Sequence, residues 1–381
     1  MKIPLSAPDL REEEIELVAK VLRTPHLSLG PKLPEFERAI AEYIGTENAI
    51  GVSSGTAGLH LCVRALDIGA GDEVIVPSFA FVAVANVLLY ENAVPVLVDI
   101  EADTLNLDAR RIEAAITPRT KAILVVHTFG CPAEMSAILD IARRRHLYVL
   151  EDACEAIGAE YQSRKVGGLG DAGVFGFYPN KQITTGEGGM VVTRNSRLAT
   201  RVRALRNQGR ASSEDWFQHS ELGYNYRLSE INCALGIGQL SRIEATLAMR
   251  GEIAKKYNDR FQKNENLRLP VLALPDRKIS WFVYVVRLSE KYSRVHRDWI
   301  MHELNRRGIG CGRYFAPIHL QPAYQNAVAR TTDLRVTESQ ASRCLALPFF
   351  NRLQDQQIDE VCHNLCELIP LAAKSASATG S

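Results

Sequence analysis

The sequence predicts an α/β protein built on a mostly parallel central sheet, followed by a smaller C-terminal α+β domain. Three observations carry this expectation. Short apolar runs alternate with helical patterns from residue 48 to 150, the signature of βαβ units with helices on both sheet faces. The alternation then gives way to two strand-like runs enclosing a loop rich in Lys, Thr and Gly. The length of 381 residues exceeds one ordinary domain and suits a large domain with a smaller companion.

Residues 9–23 and 34–44 read as helices, with Ile15, Val18 and Leu22 at helical spacing. Between them Thr24-Pro25-His26-Leu27-Ser28-Leu29-Gly30-Pro31 is a loop rich in helix breakers. Strand runs follow at 48–52, 73–76, 94–98, 121–126 and 147–150, separated by helical patterns at 57–66, 80–90, 108–116 and 134–145. Gly173 to Tyr178 and Gly189 to Thr193 read as strands, and helices are expected at 197–207, 229–240 and 242–262. After Pro270 come a strand from Trp281 to Leu288, a helix at 296–307 and a last helix at 354–368. These elements suggest a large domain over 1–245, a small one over 246–370, and a tail at 371–381 whose small polar residues predict disorder.

Composition narrows the function. With 45 basic against 44 acidic residues the net charge is +1, which gives no support to nucleic-acid or membrane-surface binding. Hydrophobic residues at 46% allow a core that needs neither disulfides nor a structural metal. The eight cysteines form no C-x-x-C pair, so reduced thiols and a cytoplasmic location are expected. Met1-Lys2-Ile3-Pro4 opens no long apolar segment of a signal peptide, and no apolar run reaches membrane-spanning length. His296 and His302 stand six apart, off the helical spacing of metal ligands, and no metal site is expected.

In an open α/β sheet, ligands bind beyond the carboxyl ends of the strands, and four segments there carry chemistry. Ser53-Ser54-Gly55-Thr56 follows a strand and opens a helix, which suits either a phosphate cradle or an ordinary N-cap. The same stretch reads Gly51-x-Ser53-x-Gly55, the form of a hydrolase nucleophile elbow. Glu151-Asp152 directly follows the run His146-Leu147-Tyr148-Val149-Leu150. A carboxylate there either caps the next helix or meets a positive partner such as a protonated pyridine nitrogen. In Phe175-Gly176-Phe177-Tyr178-Pro179-Asn180-Lys181-Gln182-Ile183-Thr184-Thr185-Gly186-Glu187-Gly188-Gly189, one lysine lies in a polar loop between two strands. Its amine can form an imine with an aldehyde and can later move a proton between carbons. Gly223-Tyr224-Asn225-Tyr226-Arg227-Leu228 reads by itself as a capping loop. Gly168-x-Gly170-x-x-Gly173 matches the dinucleotide fingerprint but precedes a strand, so that reading fails on context.

Taken together and in this order, the four segments resemble the DegT/DnrJ/EryC1/StrS family of nucleotide-sugar aminotransferases that use pyridoxal 5'-phosphate (PLP). Leu29-Gly30-Pro31 with Glu35-Phe36-Glu37, Gly71-Asp72-Glu73-Val74-Ile75-Val76-Pro77-Ser78-Phe79, and Tyr314-Phe315-Ala316-Pro317-Ile318-His319 extend the resemblance over nearly the whole chain. It implies the aspartate-aminotransferase fold (PLP fold type I), a homodimer with shared active sites, and a pyridoxamine 5'-phosphate form during turnover. Its implied activity is transfer of an amino group from an amino acid, L-glutamate, to a nucleotide-linked keto-deoxysugar, in glycan or antibiotic-sugar biosynthesis. Lys181 then corresponds to the imine-forming lysine, Asp152 to the partner of the pyridine nitrogen, Phe81 to the aromatic stacked on the ring, and Gly55 and Thr56 to the phosphate cradle. Asn225 corresponds to the residue that reaches the phosphate from the neighbouring subunit, and Tyr178, Tyr314 and His319 are candidates for the sugar pocket.

Two positions depart from the commoner pattern. Gly176 stands where a phosphate-binding Ser is frequent, and Glu155 where Gln or His is frequent, near the ring hydroxyl. Relatives that dehydrate sugars replace the active lysine, typically with His, so Lys181 argues against that reaction. A regulatory member binding cofactor and sugar without turnover, and a hydrolase using Ser53, are the alternatives.

Overall fold

A computed structural model describes residues 2–210, 218–325, 327 and 329–378. The alternating part of the chain folds into one eight-stranded sheet. Its strands are β1 (Asn48–Val52), β2 (Glu73–Pro77), β3 (Val94–Val98), β4 (Thr120–Val126), β5 (Tyr148–Asp152), β6 (Ala172–Gly176), β7 (Gly189–Thr193) and, much later, a two-residue edge strand, Arg330–Thr331. Their order is β1-β7-β6-β5-β4-β2-β3, with Arg330–Thr331 beyond β3. β7 runs antiparallel to β1 and β6, and the other pairs are parallel. The mostly parallel α/β sheet expected from the sequence is therefore present, with strands matching the predicted runs to within a residue or two.

The strand interiors are mainly apolar because both faces are covered. Alternate residues serve different cores, as the two-residue strand period requires. Ile75, Ile123 and Val125 pack with Phe36 and Ile40 of helix Lys32–Ile44 and Ile138 of helix Met135–Arg145. Val74, Val76 and Leu124 pack with Leu59 of helix Gly55–Ala65 and Val84 and Leu88 of helix Ala83–Tyr90.

A second, antiparallel sheet joins Leu267–Arg268, Tyr284–Leu288 and Cys344–Leu347. Helices Arg294–Arg306 and Asp355–Ala378 pack on it around Tyr257, Ile300, Leu304, Val361 and Leu365. Helix Ile243–Phe261 carries the chain between the two parts. Its Ile243 and Leu247 belong to a core of the large sheet, and its Ile253, Tyr257 and Phe261 to the core of the small one.

Several features differ from the sequence reading. The strand expected to reach Tyr178 ends at Gly176, where the lysine loop turns away. Ile3, expected with the large domain, is buried in the core of the small sheet, and it bridges to Ile309. The last helix continues through Ala378, where composition predicted a disordered tail from 371; residues 379–381 lie outside the described residues. Helix Arg335–Arg343 and strand Cys344–Leu347 were not anticipated.

Candidate active site

The carboxyl ends of β1, β5 and β6 open into a cavity of about 600 Å³. Its wall brings together Gly55, Thr56, Phe81, Asp152, Glu155, Gly176, Tyr178, Lys181 and Tyr314, residues distant in sequence and singled out there.

The lysine loop is fixed at almost every polar residue. Thr184 donates its hydroxyl to the Phe177 carbonyl at 2.9 Å and accepts from the Gly186 N–H. Thr185 donates to the Glu187 carbonyl at 2.7 Å. Asn232, on the neighbouring helix, donates to the carbonyls of Thr185 and Glu187. Gln182 turns inward and donates to the carbonyls of Glu155 and Ser280. Held this way, the Lys181 side chain is only 15% exposed, and its Nζ lies 3.6 Å from Glu155 Oε1. Its ammonium also sits 3.9 Å from the centroid of the Phe282 ring, a cation–π contact that stabilises the charge in a partly dry setting.

Glu151 and Asp152 are adjacent, yet they point to opposite sides of β5. Asp152 Oδ1 accepts from the Cys154 N–H at 3.0 Å, which leaves carboxylate capacity facing the cavity it lines. Glu151 is sealed beneath the sheet, where it takes His127 Nε2 at 3.0 Å and the N–H groups of Gly167, Leu169 and Gly170 at 2.7 Å each. Burial pushes its carboxyl up, but His127 and these N–H donors outweigh burial and hold it below the usual range. The glycine pattern at 168–173 is thus the wrapping of a buried carboxylate. Glu155 behaves oppositely. Burial, with the charge of Asp152 acting the same way, raises its carboxyl above the usual range, against the pull of Lys181 and the Phe129 N–H.

Ser54 caps helix Gly55–Ala65 by accepting the Ala57 N–H at 3.0 Å. The first N–H groups of that helix have no intrahelical partners and favour an anion. Gly189 completes the cradle from behind: a Cβ there would lie 2.6 Å from the Ser54 carbonyl carbon and 2.7 Å from the Gly55 nitrogen. At Gly176 a Cβ would approach Cys154 Cβ and Sγ at 3.3 Å. The thiol therefore borders the space a side chain at 176 would enter.

Three sequence candidates lie outside the wall. Asn225 is exposed and pairs with Asn207. His319 is held between Ser78 Oγ at 2.7 Å and Glu338 Oε1 at 3.2 Å. Ser53 donates its N–H to the Tyr226 carbonyl and does not line the cavity, whose described wall holds no histidine to serve it as a base. Conversely, Asn180, Glu187, Phe282 and Arg313 line the cavity without having been singled out as site residues. Asn180 and Glu187 lay inside the quoted lysine segment, whereas Phe282 and Arg313 carry no local signal of this role.

These residues fit a flat aromatic aldehyde bearing a phosphate and a basic ring nitrogen. The helix N-terminus matches the phosphate, Asp152 the protonated ring nitrogen, Lys181 the aldehyde, and the face of Phe81, 60% exposed at the wall, the ring. That description is met by PLP.

Comparison with known proteins points the same way. The profile of the DegT/DnrJ/EryC1/StrS aminotransferase family matches residues 8–366. GDP-perosamine synthase of Caulobacter vibrioides is 41% identical over 371 residues, covering 97% of this chain and 98% of its own length. The spore coat polysaccharide biosynthesis protein SpsC of Bacillus subtilis is 36% identical over 378 residues, covering 96% of this chain and 97% of its own. Among solved structures, the putative sugar aminotransferase Spr1654 from Streptococcus pneumoniae in its PMP form matches with a TM-score of 0.94 at 26% identity, covering 99% of this chain and 100% of its own. Its PLP form matches with a TM-score of 0.93 at 27% identity, covering 98% of this chain and 100% of its own. Helicobacter pylori PseC, an aminotransferase of pseudoaminic acid biosynthesis, matches with a TM-score of 0.92 at 30% identity, covering 97% of this chain and 100% of its own. The fold is thus that of the PLP-dependent aminotransferases, and the chain belongs to the DegT/DnrJ/EryC1/StrS aminotransferase family as a PLP-dependent enzyme.

Proposed function

We propose that this aminotransferase acts on a sugar, moving an amino group from L-glutamate to a nucleotide-linked keto-deoxysugar. The observation that carries the reading is the Lys181 amine, set 3.6 Å from the Glu155 carboxylate in one cavity with Asp152 and a free helix N-terminus. The names of its relatives, a GDP-perosamine synthase and a polysaccharide biosynthesis protein, support the sugar as acceptor.

PLP supplies an aldehyde for the lysine and a ring that withdraws electrons from the reacting carbon. Lys181 Nζ would hold the cofactor's aldehyde and, when free, would carry the proton between the two carbons exchanged in transamination. Asp152 would keep the ring nitrogen protonated. Gly55 and Thr56 would hold the phosphate, Phe81 would cover the ring, and Glu155 would meet the ring hydroxyl. Tyr178 and Tyr314 face the sugar. His319, bound to Ser78, steadies the 314–319 segment from behind. Asn225 serves the phosphate of a second copy of the chain, so the working unit is a homodimer. The eight cysteines are free thiols and among the described residues no helix is long and apolar enough to cross a membrane; we place the reaction in the cytoplasm.

The test is the absorption spectrum of the PLP-loaded protein before and after L-glutamate, beside Lys181→Ala. A band of lysine-linked cofactor that converts with glutamate, and is missing in the variant, is the expected result. A band that glutamate leaves unchanged would favour another donor or a non-catalytic sensor. Failure of well-folded protein to show the band at saturating PLP would sink the proposal.

A further inference from the structure

We propose that Arg313 is an anion-binding subsite at the exposed edge of the active-site cavity, taking either the donor's carboxylate or the acceptor's phosphate oxygens. The inference deepens the proposed function and rests on it for the identity of the two substrates. Among the described residues of the wall, the charged groups are Asp152, Glu155, Lys181, Glu187 and Arg313. The charge of Lys181 is faced by Glu155, and Lys181 is committed to the cofactor. Arg313 is the remaining cation, and its side chain is 45% exposed.

Its counter-charge is shared. Arg313 Nη2 lies 3.0 Å from Asp298 Oδ2, but Arg297 Nε lies 2.6 Å from Asp298 Oδ1 and Arg294 Nε 3.6 Å from Oδ2. One carboxylate cannot neutralise three guanidinium groups. Arg297 is buried and also donates to the carbonyls of Ala341 and Cys344, so its hold on Asp298 is structural. The positive excess therefore falls on the exposed members, and of these Arg313 lines the cavity. Its backbone is firmly seated: Gly312 exchanges two hydrogen bonds with Ala346 in the small sheet. On its other side Tyr314 Oη accepts from Asn180 Nδ2 at 3.3 Å, beside Lys181. A guanidinium so placed offers a planar fork of donors matched to carboxylate or phosphate oxygens.

The test uses PLP-loaded enzyme with Arg313→Gln and Arg313→Lys. Conversion of the cofactor by L-glutamate is followed in single turnovers over a range of concentrations, and binding of inorganic pyrophosphate is measured by calorimetry. Arg313→Gln is expected to weaken one of these affinities by about tenfold or more, the usual scale for losing a charge-assisted hydrogen bond. Its limiting rate should stay within about threefold, the split expected when ground-state binding alone is lost. Arg313→Lys should recover part of the affinity, and added salt should weaken binding to the wild type more than to Arg313→Gln. A loss confined to glutamate assigns the subsite to the carboxylate, and a loss confined to pyrophosphate assigns it to the acceptor. If neither affinity moves by more than about twofold, or the rate falls at constant affinity, the inference is wrong. The cofactor band and thermal midpoint of each variant report its fold separately. A wild type that glutamate does not convert would count against the proposed function, while the pyrophosphate arm would still decide the role of Arg313.

Discussion

Two adjacent carboxylates illustrate how much one residue step decides. Strand alternation sends Asp152 to the cavity and Glu151 into the packing beneath it. Glu151→Gln leaves His127 without its carboxylate and turns an amide toward backbone donors. It should cost about 2–4 kcal/mol of stability, measured by denaturant unfolding of the apoprotein. Because the Glu151 carboxyl is held below its usual range when folded, its contribution is complete above the unfolded value of about 4.3. It is lost as pH falls through the folded value, so the gap between wild type and variant should narrow on acidification. That Asp152 and Lys181 reach the cavity wall was legible in the sequence because each stands beside a strand end in a distinctive local pattern. Phe282 and Arg313 were not, because they reach the cavity from segments more than a hundred residues further along and carry no pattern of their own.

At the level of elements, the lysine loop depends on a close approach that its glycines permit. A methyl group on residue 189 would press on the backbone of Ser54 and Gly55, and backbone cannot swing aside as a side chain can. Gly189→Ala should therefore destabilise the protein by about 1–3 kcal/mol and also loosen the phosphate cradle. Thermal unfolding of the apoprotein and a PLP titration would show both effects; a change in neither would mean that the strand shifts freely. The strands of the large sheet were readable as continuous apolar runs. Helix Arg335–Arg343 was not, since its buried residues include Thr337, Gln340 and Arg343. Its N-terminus is capped from afar: Asp99 accepts from the N–H groups of Val336 and Thr337. No apolar stripe marks such a helix in the sequence, and Leu334 stands at its N-cap.

For the whole molecule, the proposed sharing of sites between subunits has a direct test. Lys181→Ala and Asn225→Ala chains, each nearly inactive alone, should recover about a quarter of wild-type activity when unfolded and refolded together in equal amounts. Half of the dimers would then be mixed, and each mixed dimer would hold one site with both native residues. No recovery would place Asn225 in the service of its own chain. The doubly covered sheet was legible from alternation alone, but the attachment of the chain's first residues was not. Ile3 bridges to Ile309, and Lys2 forms an ion pair with Glu360, although nothing near either end announces the pairing. During synthesis this has a temporal meaning. At roughly 5–20 residues per second, Ile3 is made on the order of 15–60 s before the Ile309 segment it bridges to. The Ile3 stretch is thus secured long after it is made, and until then its apolar side chain remains open to whatever chaperone meets the nascent protein.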